Sequence, residues 1–321
     1  MVPGPPTFLD RLPRPDARER NPPVPSKTPG KISLDHIYTQ PDPRPYFSTL
    51  RELDYRIPQL AKPYFTRLIQ EHRDATRSAT TTVLDVGCSY GINAALLKCD
   101  ATMDDLYERY SGPVADAQSR AELLAGDRER VRADGRLRGV RFIGLDSSFQ
   151  ALSYGLMAGY LDAGVHADLE RRDPTERERA LLAEADLVVS TGCLGYVTER
   201  TVQRVVDAHG GGADRPWMAH FVLRMFPFDP VADVLAAAGY ETVLLERVFR
   251  QRMFAGAEEQ AQVIETLSGL GVDPRGLETD GWLYARLYVS RPGGAGKRTI
   301  LDLAANALSP SPSPIRNEDR P

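Results

Sequence analysis

Cysteine is scarce: Cys88, Cys99 and Cys193 are the only three in 321 residues. No two are spaced Cys-x-x-Cys, and no histidine stands near them at ligand spacing, which excludes a disulfide framework and a zinc site of common spacing. Lysine is scarcer than usual too. Of 40 basic residues only five are lysine (27, 31, 62, 98 and 297), so 35 are arginine. These arginines alternate with acids, as in Asp127-Arg128-Glu129-Arg130, and the net charge is -4. Such a pattern makes solvated, ion-paired faces and argues against a nucleic-acid partner. No apolar run reaches the ~20 residues of a membrane helix. Residues 1–30 hold nine prolines and no apolar stretch, unlike a secretory leader. The expectation is a cytoplasmic protein with neither nucleic acid nor membrane as partner. Composition does not set its oligomeric state.

What is present is an α/β pattern between two proline-rich tails. Residues 1–34 read as a disordered tail, 35–79 as a helical cap or lid, 80–292 as the main domain, and 293–321 as a second tail, disordered from about 309. Uniformly apolar runs at 82–86, 141–145, 164–167, 187–190 and 217–223 predict buried parallel strands. Helical segments at 149–161, 176–184, 198–209 and 230–238 separate most of them. Two alternating stretches, 243–252 and 282–290, with a helix at 256–270 between them, predict an antiparallel edge. Helices at 47–53 and 58–73 are expected to cap the carboxyl edge of the sheet, where ligands of such folds bind. An insert at about 99–139 holds two further helices, 104–110 and 115–134.

The most informative segment is Val83-Leu84-Asp85-Val86-Gly87-Cys88-Ser89-Tyr90-Gly91-Ile92, a strand, a glycine-bearing turn and a helix start. Glycines let the backbone approach a ligand closely and take positive φ. Asp85 would repel a pyrophosphate and attract a cationic nucleoside. Asp85-x-Gly87-x-Ser89-x-Gly91 resembles the first motif of class I S-adenosylmethionine-dependent methyltransferases, Asp/Glu-x-Gly-x-Gly-x-Gly, with Ser89 in place of the middle glycine. The resemblance runs over about 80–290. It implies a seven-stranded, mostly parallel Rossmann-like sheet with an antiparallel edge strand, and S-adenosylmethionine (SAM) as cofactor on Asp85, Gly87, Cys88, Ser89 and Gly91.

The resemblance extends downstream. In Leu145-Asp146-Ser147-Ser148 it implies that Asp146, with Ser147 beside it, accepts both ribose hydroxyls; the alternative is a helix N-cap. Asp146 follows Gly91 by 55 residues, against ~20 in comparable folds, and the insert accounts for the excess. Asp168 and Leu169 match the adenine-contacting segment. Ser190 and Thr191 lie in the segment facing the methyl group, and Tyr196 lies near the acceptor. The Asn/Asp-Pro-Pro-Tyr motif of DNA and protein amide methyltransferases is missing there, which favours a small-molecule substrate. For that substrate the expected lining is Tyr38 and Tyr46 on a proline-stiffened lid strip (38–47), with Tyr90, Tyr154 and Arg224. Core packing for the tyrosines and an ion pair for Arg224 are the competing readings. His220 is a candidate general base or else a satisfied core histidine. No metal constellation is evident.

The expected activity is in-line methyl transfer from SAM to a small molecule, of the kind used in secondary metabolism. Two other outcomes fit the same residues. One is an enzyme of this fold that cyclises SAM to azetidine-2-carboxylate and methylthioadenosine within an aromatic pocket. The other is a non-catalytic SAM-binding protein that serves a partner.

Overall fold

The computed structural model describes residues 35–133, 137–210 and 215–293. Both tails expected to be disordered lie outside them. Seven strands form one sheet: β1 (Thr81–Val86), β2 (Val140–Asp146), β3 (Ala163–His166), β4 (Leu187–Thr191), β5 (Trp217–Leu223), β6 (Tyr240–Met253) and β7 (Trp282–Pro292). Their order is β3-β2-β1-β4-β5-β7-β6. Neighbours among β1 to β5 pair in parallel, whereas β7 pairs antiparallel with both β5 and β6. The sheet is thus the seven-stranded, mostly parallel Rossmann-like methyltransferase arrangement, with antiparallel β7 paired between β5 and the edge strand β6. Every residue of β5 is buried, as a strand covered on both faces requires.

The helices are α1 (Asp35–Tyr38), α2 (Arg44–Glu52), α3 (Ile57–Thr76), α4 (Ile92–Lys98), α5 (Met103–Tyr110), α6 (Pro113–Asp116), α7 (Arg120–Ala133), α8 (Phe149–Ala158), α9 (Glu176–Leu182), α10 (Glu199–Ala208), α11 (Asp229–Ala237) and α12 (Ala257–Gly269). One sheet face, with Val83, Phe142, Val189 and Phe221, is covered by α3, α4 and α8. The other, with Leu84, Ile143, Val188 and Met218, is covered by α9, α10 and α11. The crossover direction changes between β1 and β4, which opens a crevice at the carboxyl ends of those two strands.

Three elements depart from expectation. Helix α3 lies against β1, β4, β5 and β6 rather than over the carboxyl edge, because Ala61, Phe65, Leu68 and Ile69 give it a continuous apolar stripe. The segment 38–47 is not one stiff strip: Tyr38 ends α1, residues 39–43 bend, and 44–47 open α2. Asp42 accepts the Arg44 backbone N–H at 3.2 Å, and Pro45 sits in the first turn of α2, where a missing N–H costs nothing. The expected helix 115–134 is split. Ser119 and Glu122 form a reciprocal N-terminal box, with Ser119 N–H on the Glu122 carboxylate at 2.7 Å and Glu122 N–H on Ser119 Oγ at 3.3 Å, so α7 starts afresh at Arg120.

The cap and the insert fuse. Arg44 donates to the carbonyls of Ala115 and Gln118 at 3.3 and 3.0 Å, Arg120 to that of Pro41 at 2.8 Å, and Tyr107 Oη to that of Tyr55 at 2.6 Å. Phe47 stacks on Tyr110 at 4.8 Å between ring centres. Buried Asp127 anchors the insert by accepting from Tyr110, Tyr154 and Arg109 at 2.8, 2.7 and 3.0 Å.

Candidate active site

The turn after β1 holds three residues in the left-handed region: Gly87 (φ 68°), Ser89 (52°) and Gly91 (80°). A side chain at Gly87 would place its Cβ 2.7 Å from the Cβ of Cys193, so that position is closed by packing as well as by φ. The turn is fastened to β2. Gly87 N–H donates to the Leu145 carbonyl at 2.8 Å, and Ser89 N–H donates to Asp146 Oδ2 at 2.8 Å. The other carboxylate oxygen, Oδ1, accepts Ser148 N–H at 2.8 Å. Burial raises the Asp146 pKa above the ordinary carboxylate value, opposed by the backbone N–H groups of Ser148, Ser89 and Ser147 and by the His166 ring. Capping of α8 falls instead to Ser148, whose hydroxyl accepts Ala151 N–H at 3.3 Å and donates to the Tyr38 carbonyl at 2.6 Å.

Asp168 stands past the end of β3, part-exposed, paired with Arg171 at 3.2 Å and accepting Glu170 N–H at 3.0 Å. Leu169 is buried in the core of the second face. Ser147 is exposed, and its carbonyl lies 3.1 Å from His166 Nε2. Cys88 and Cys193 are inert as nucleophiles. Burial pushes the Cys88 thiol well up and the Cys193 thiol up to about 12.

On β1, the strand paired with the one Asp146 ends, Asp85 is fully buried. Asn93 Nδ2 donates to Asp85 Oδ1 at 3.0 Å and to Thr191 Oγ1 at 3.2 Å. Thr191 is hydrogen-bonded in turn to the Tyr55 hydroxyl, and Tyr55 to Tyr46. Buried polar atoms without a partner gather along this line: Asp85 Oδ2, Ser89 Oγ, Asn93 Oδ1 and Gln251 Oε1. Burial pushes the Asp85 carboxyl up to about 7 and holds the Tyr46 and Tyr55 hydroxyls well above their ordinary value. Those phenols are hydrogen-bonding groups, not bases. Such unsatisfied atoms are costly in a core and mark a place built for a polar ligand.

Residues 37–46 meet the glycine turn and the polar line. Tyr90 Oη donates to the carbonyls of Ile37 and Gln40 at 3.0 Å each, and Tyr46 packs edge-on against Tyr38, Tyr55 and Tyr90.

Several expected residues fall elsewhere. His220 and Ser190 lie on the opposite sheet face from Asp85 and Thr191, because side chains alternate along β4 and β5. Ser190 Oγ and His220 Nδ1 are 2.8 Å apart, and burial pushes the His220 pKa down to about 4, so this histidine does not reach the cluster as a base. Arg224 is committed to Glu278 at 2.5 Å and to the Asp273 carbonyl at 2.7 Å; the paired side chains are 5% and 1% exposed. It ties β5 to the turn before β7 and presents no guanidinium to a carboxylate. Tyr154 serves Asp127. Tyr196 is 38% exposed in the turn after β4, against Phe226 at 6.1 Å.

Asn93, Tyr55 and Gln251 were not anticipated. Asn93 had a signal: an amide two residues past the last glycine of the turn lies within reach of Asp85. Gln251 had one too: alternation along 243–252 puts it on the same side as Leu245 and Phe249, and all three are buried.

No protein-family model matches the chain, and no curated protein matches it. Among solved structures it is similar to a TehB-like SAM-dependent methyltransferase from Corynebacterium glutamicum: 16% identity, TM-score 0.33, over 69% of this chain and 84% of that one. It is also similar to magnesium protoporphyrin IX methyltransferase from Synechocystis with bound SAM: 11% identity, TM-score 0.34, over 71% and 77%. A third is the plantazolicin methyltransferase BpumL with S-adenosylhomocysteine (SAH): 10% identity, TM-score 0.35, over 73% and 84%. At such scores these likenesses carry no inference about activity, which rests on this chain's own residues.

Proposed function

We propose that this protein binds SAM in the crevice between β1 and β4 and directs its methyl group to a small-molecule acceptor. The observation that carries the reading is the join between Asp146 and the glycine turn. One carboxylate fixes the backbone at Ser89 and at Ser148, and so stands beside that turn as an acceptor for a cis-diol. The unpartnered oxygens of Asp85, Asn93 and Ser89 fit the ammonium group at the amino-acid end of the same ligand. Asp168 and Leu169 would border the adenine.

When bound, SAM supplies a sulfonium methyl group that passes to an acceptor lone pair while the bonding electrons stay on sulfur. The chain contributes position and dryness. Asp85 and Asn93 orient the charged end, the tyrosines of the cap offer faces that stabilise a cation, and closure over the crevice excludes water. The acceptor is read as a small molecule because the roof is built of buried aromatics, with no open basic channel among the described residues.

Calorimetric titration with SAM and with NAD tests the binding reading. SAM binding without NAD binding supports it, and the reverse overturns it.

A further inference from the structure

Gln251 is 2% exposed, and its Oε1 has no hydrogen-bond partner. A buried amide left in that state costs stability, so it calls for an account. Its place in β6 explains the burial. Alternation puts Gln251 on the same side as buried Phe249, and the register of β6 against β7 breaks between Arg250 and Arg252, so Arg252 is buried beside it. The flanking backbone then fastens the cap linker, with Arg56 N–H donating to the Gln251 carbonyl at 2.9 Å and Met253 N–H to that of Leu53 at 2.7 Å. Gln251 therefore sits where the β6 bulge, the linker carrying Tyr55 and the end of β4 meet.

Its amide lies against Gly192, which has φ 76°; a Cβ built there would stand 2.6 Å from Nε2. Gly192 follows Thr191, the residue bonded to Asn93 and Tyr55. Gln251 is thus contiguous with the polar line of the crevice but at the end away from Asp146. The cations nearby are committed. Arg252 is paired with Glu259 at 2.6 Å, Arg224 with Glu278 at 2.5 Å, and Arg250 lies 4.9 Å over the Trp282 ring.

We propose that Gln251, with Tyr55 and Thr191, forms the acceptor-positioning end of the site, and that the acceptor presents an N–H or O–H donor there rather than a carboxylate or phosphate. This rests on the SAM reading above. A buried acceptor oxygen orients a group that carries a hydrogen on the attacking atom. An anion would find an unpartnered oxygen, Asp85 and no available guanidinium among these residues.

The test uses full-length protein saturated with SAH, and small fragments as probes: amines, amides and alcohols against size-matched carboxylates and phosphates, followed by ligand-observed NMR. Binders are expected among the N–H and O–H donors. Gln251→Leu should weaken them about tenfold, the loss of one buried hydrogen bond, while SAH affinity holds. The same variant should melt at a higher temperature than the parent, because an unsatisfied buried amide is replaced by an apolar side chain of similar size; a purely structural glutamine would lower it. Anions that bind as well as donors, no donor binding at all, donors indifferent to Gln251→Leu, or an equal fall in SAH affinity would each overturn the proposal. Failure of the parent protein to bind SAH would instead overturn the SAM reading.

Discussion

The Ser89 backbone N–H and the Asp146 carboxylate meet at 2.8 Å, joining the turn after β1 to the end of β2. The acid is therefore a brace for the turn as well as a candidate acceptor for the ribose. Asp146→Ala should weaken SAM binding by about 1.5–3 kcal/mol, the range for hydrogen bonds to a charged group. Asp146→Asn, which keeps one acceptor oxygen, should lose less. Calorimetry checks both, and unchanged affinity in Asp146→Ala would remove the acid from the site.

Asp85 should impose a pH dependence. Its folded pKa, up to about 7, lies above the unfolded value. The folded state then binds the proton more readily, so the stability from neutral Asp85 is full below about 4 and is lost as pH rises through the folded pKa. A cationic ligand prefers the ionised form. SAM affinity should therefore increase as pH is raised to about 7 and level off above it. Asp85→Asn should flatten that profile, as titrations across the range would show. A flat profile in the parent would contradict the placement of the cation.

Arg224 separates a structural role from a substrate role. Arg224→Leu leaves Glu278 buried without its partner, which should cost about 3–5 kcal/mol in denaturant unfolding. SAM affinity of the folded variant should be preserved. Intact stability with altered acceptor binding would restore Arg224 as a substrate residue.

Tyr90 fastens the segment before α2 to the glycine turn by donating to the carbonyls of Ile37 and Gln40; if that segment is a lid, loosening it should speed ligand release. Tyr90→Phe should cost about 1 kcal/mol, raise amide exchange across residues 36–42 and speed SAH release in stopped flow. Equal exchange and release in both proteins would mean the cap is no lid. Deleting residues through 47 is a poorer test, because Tyr46 and Phe47 belong to the core.

The sheet was legible because its strands are buried on both faces and read as apolar runs; the run at 217–223 coincides with β5. The glycine turn and Asp146 were legible because each is local. What could not be read is what depends on facing or register. The runs 187–190 and 217–223 are apolar on both sides, so nothing in them says that His220 and Ser190 face away from Asp85. Helix α3 looked like a cap because its stripe does not say which surface it meets. Alternation faces Gln251 inward with Phe249, but no spacing says that Gly192 will meet its amide, and Arg224 is taken by Glu278, 54 residues away.

Methyl transfer and cyclisation of SAM leave different nucleosides. Mass spectrometry of the products from protein, methyl-labelled SAM and a small-molecule extract tells them apart. Transfer, as proposed, gives SAH together with the label in a small molecule. Methylthioadenosine in place of SAH would show cyclisation instead, and SAM left intact would contradict an enzyme of either kind.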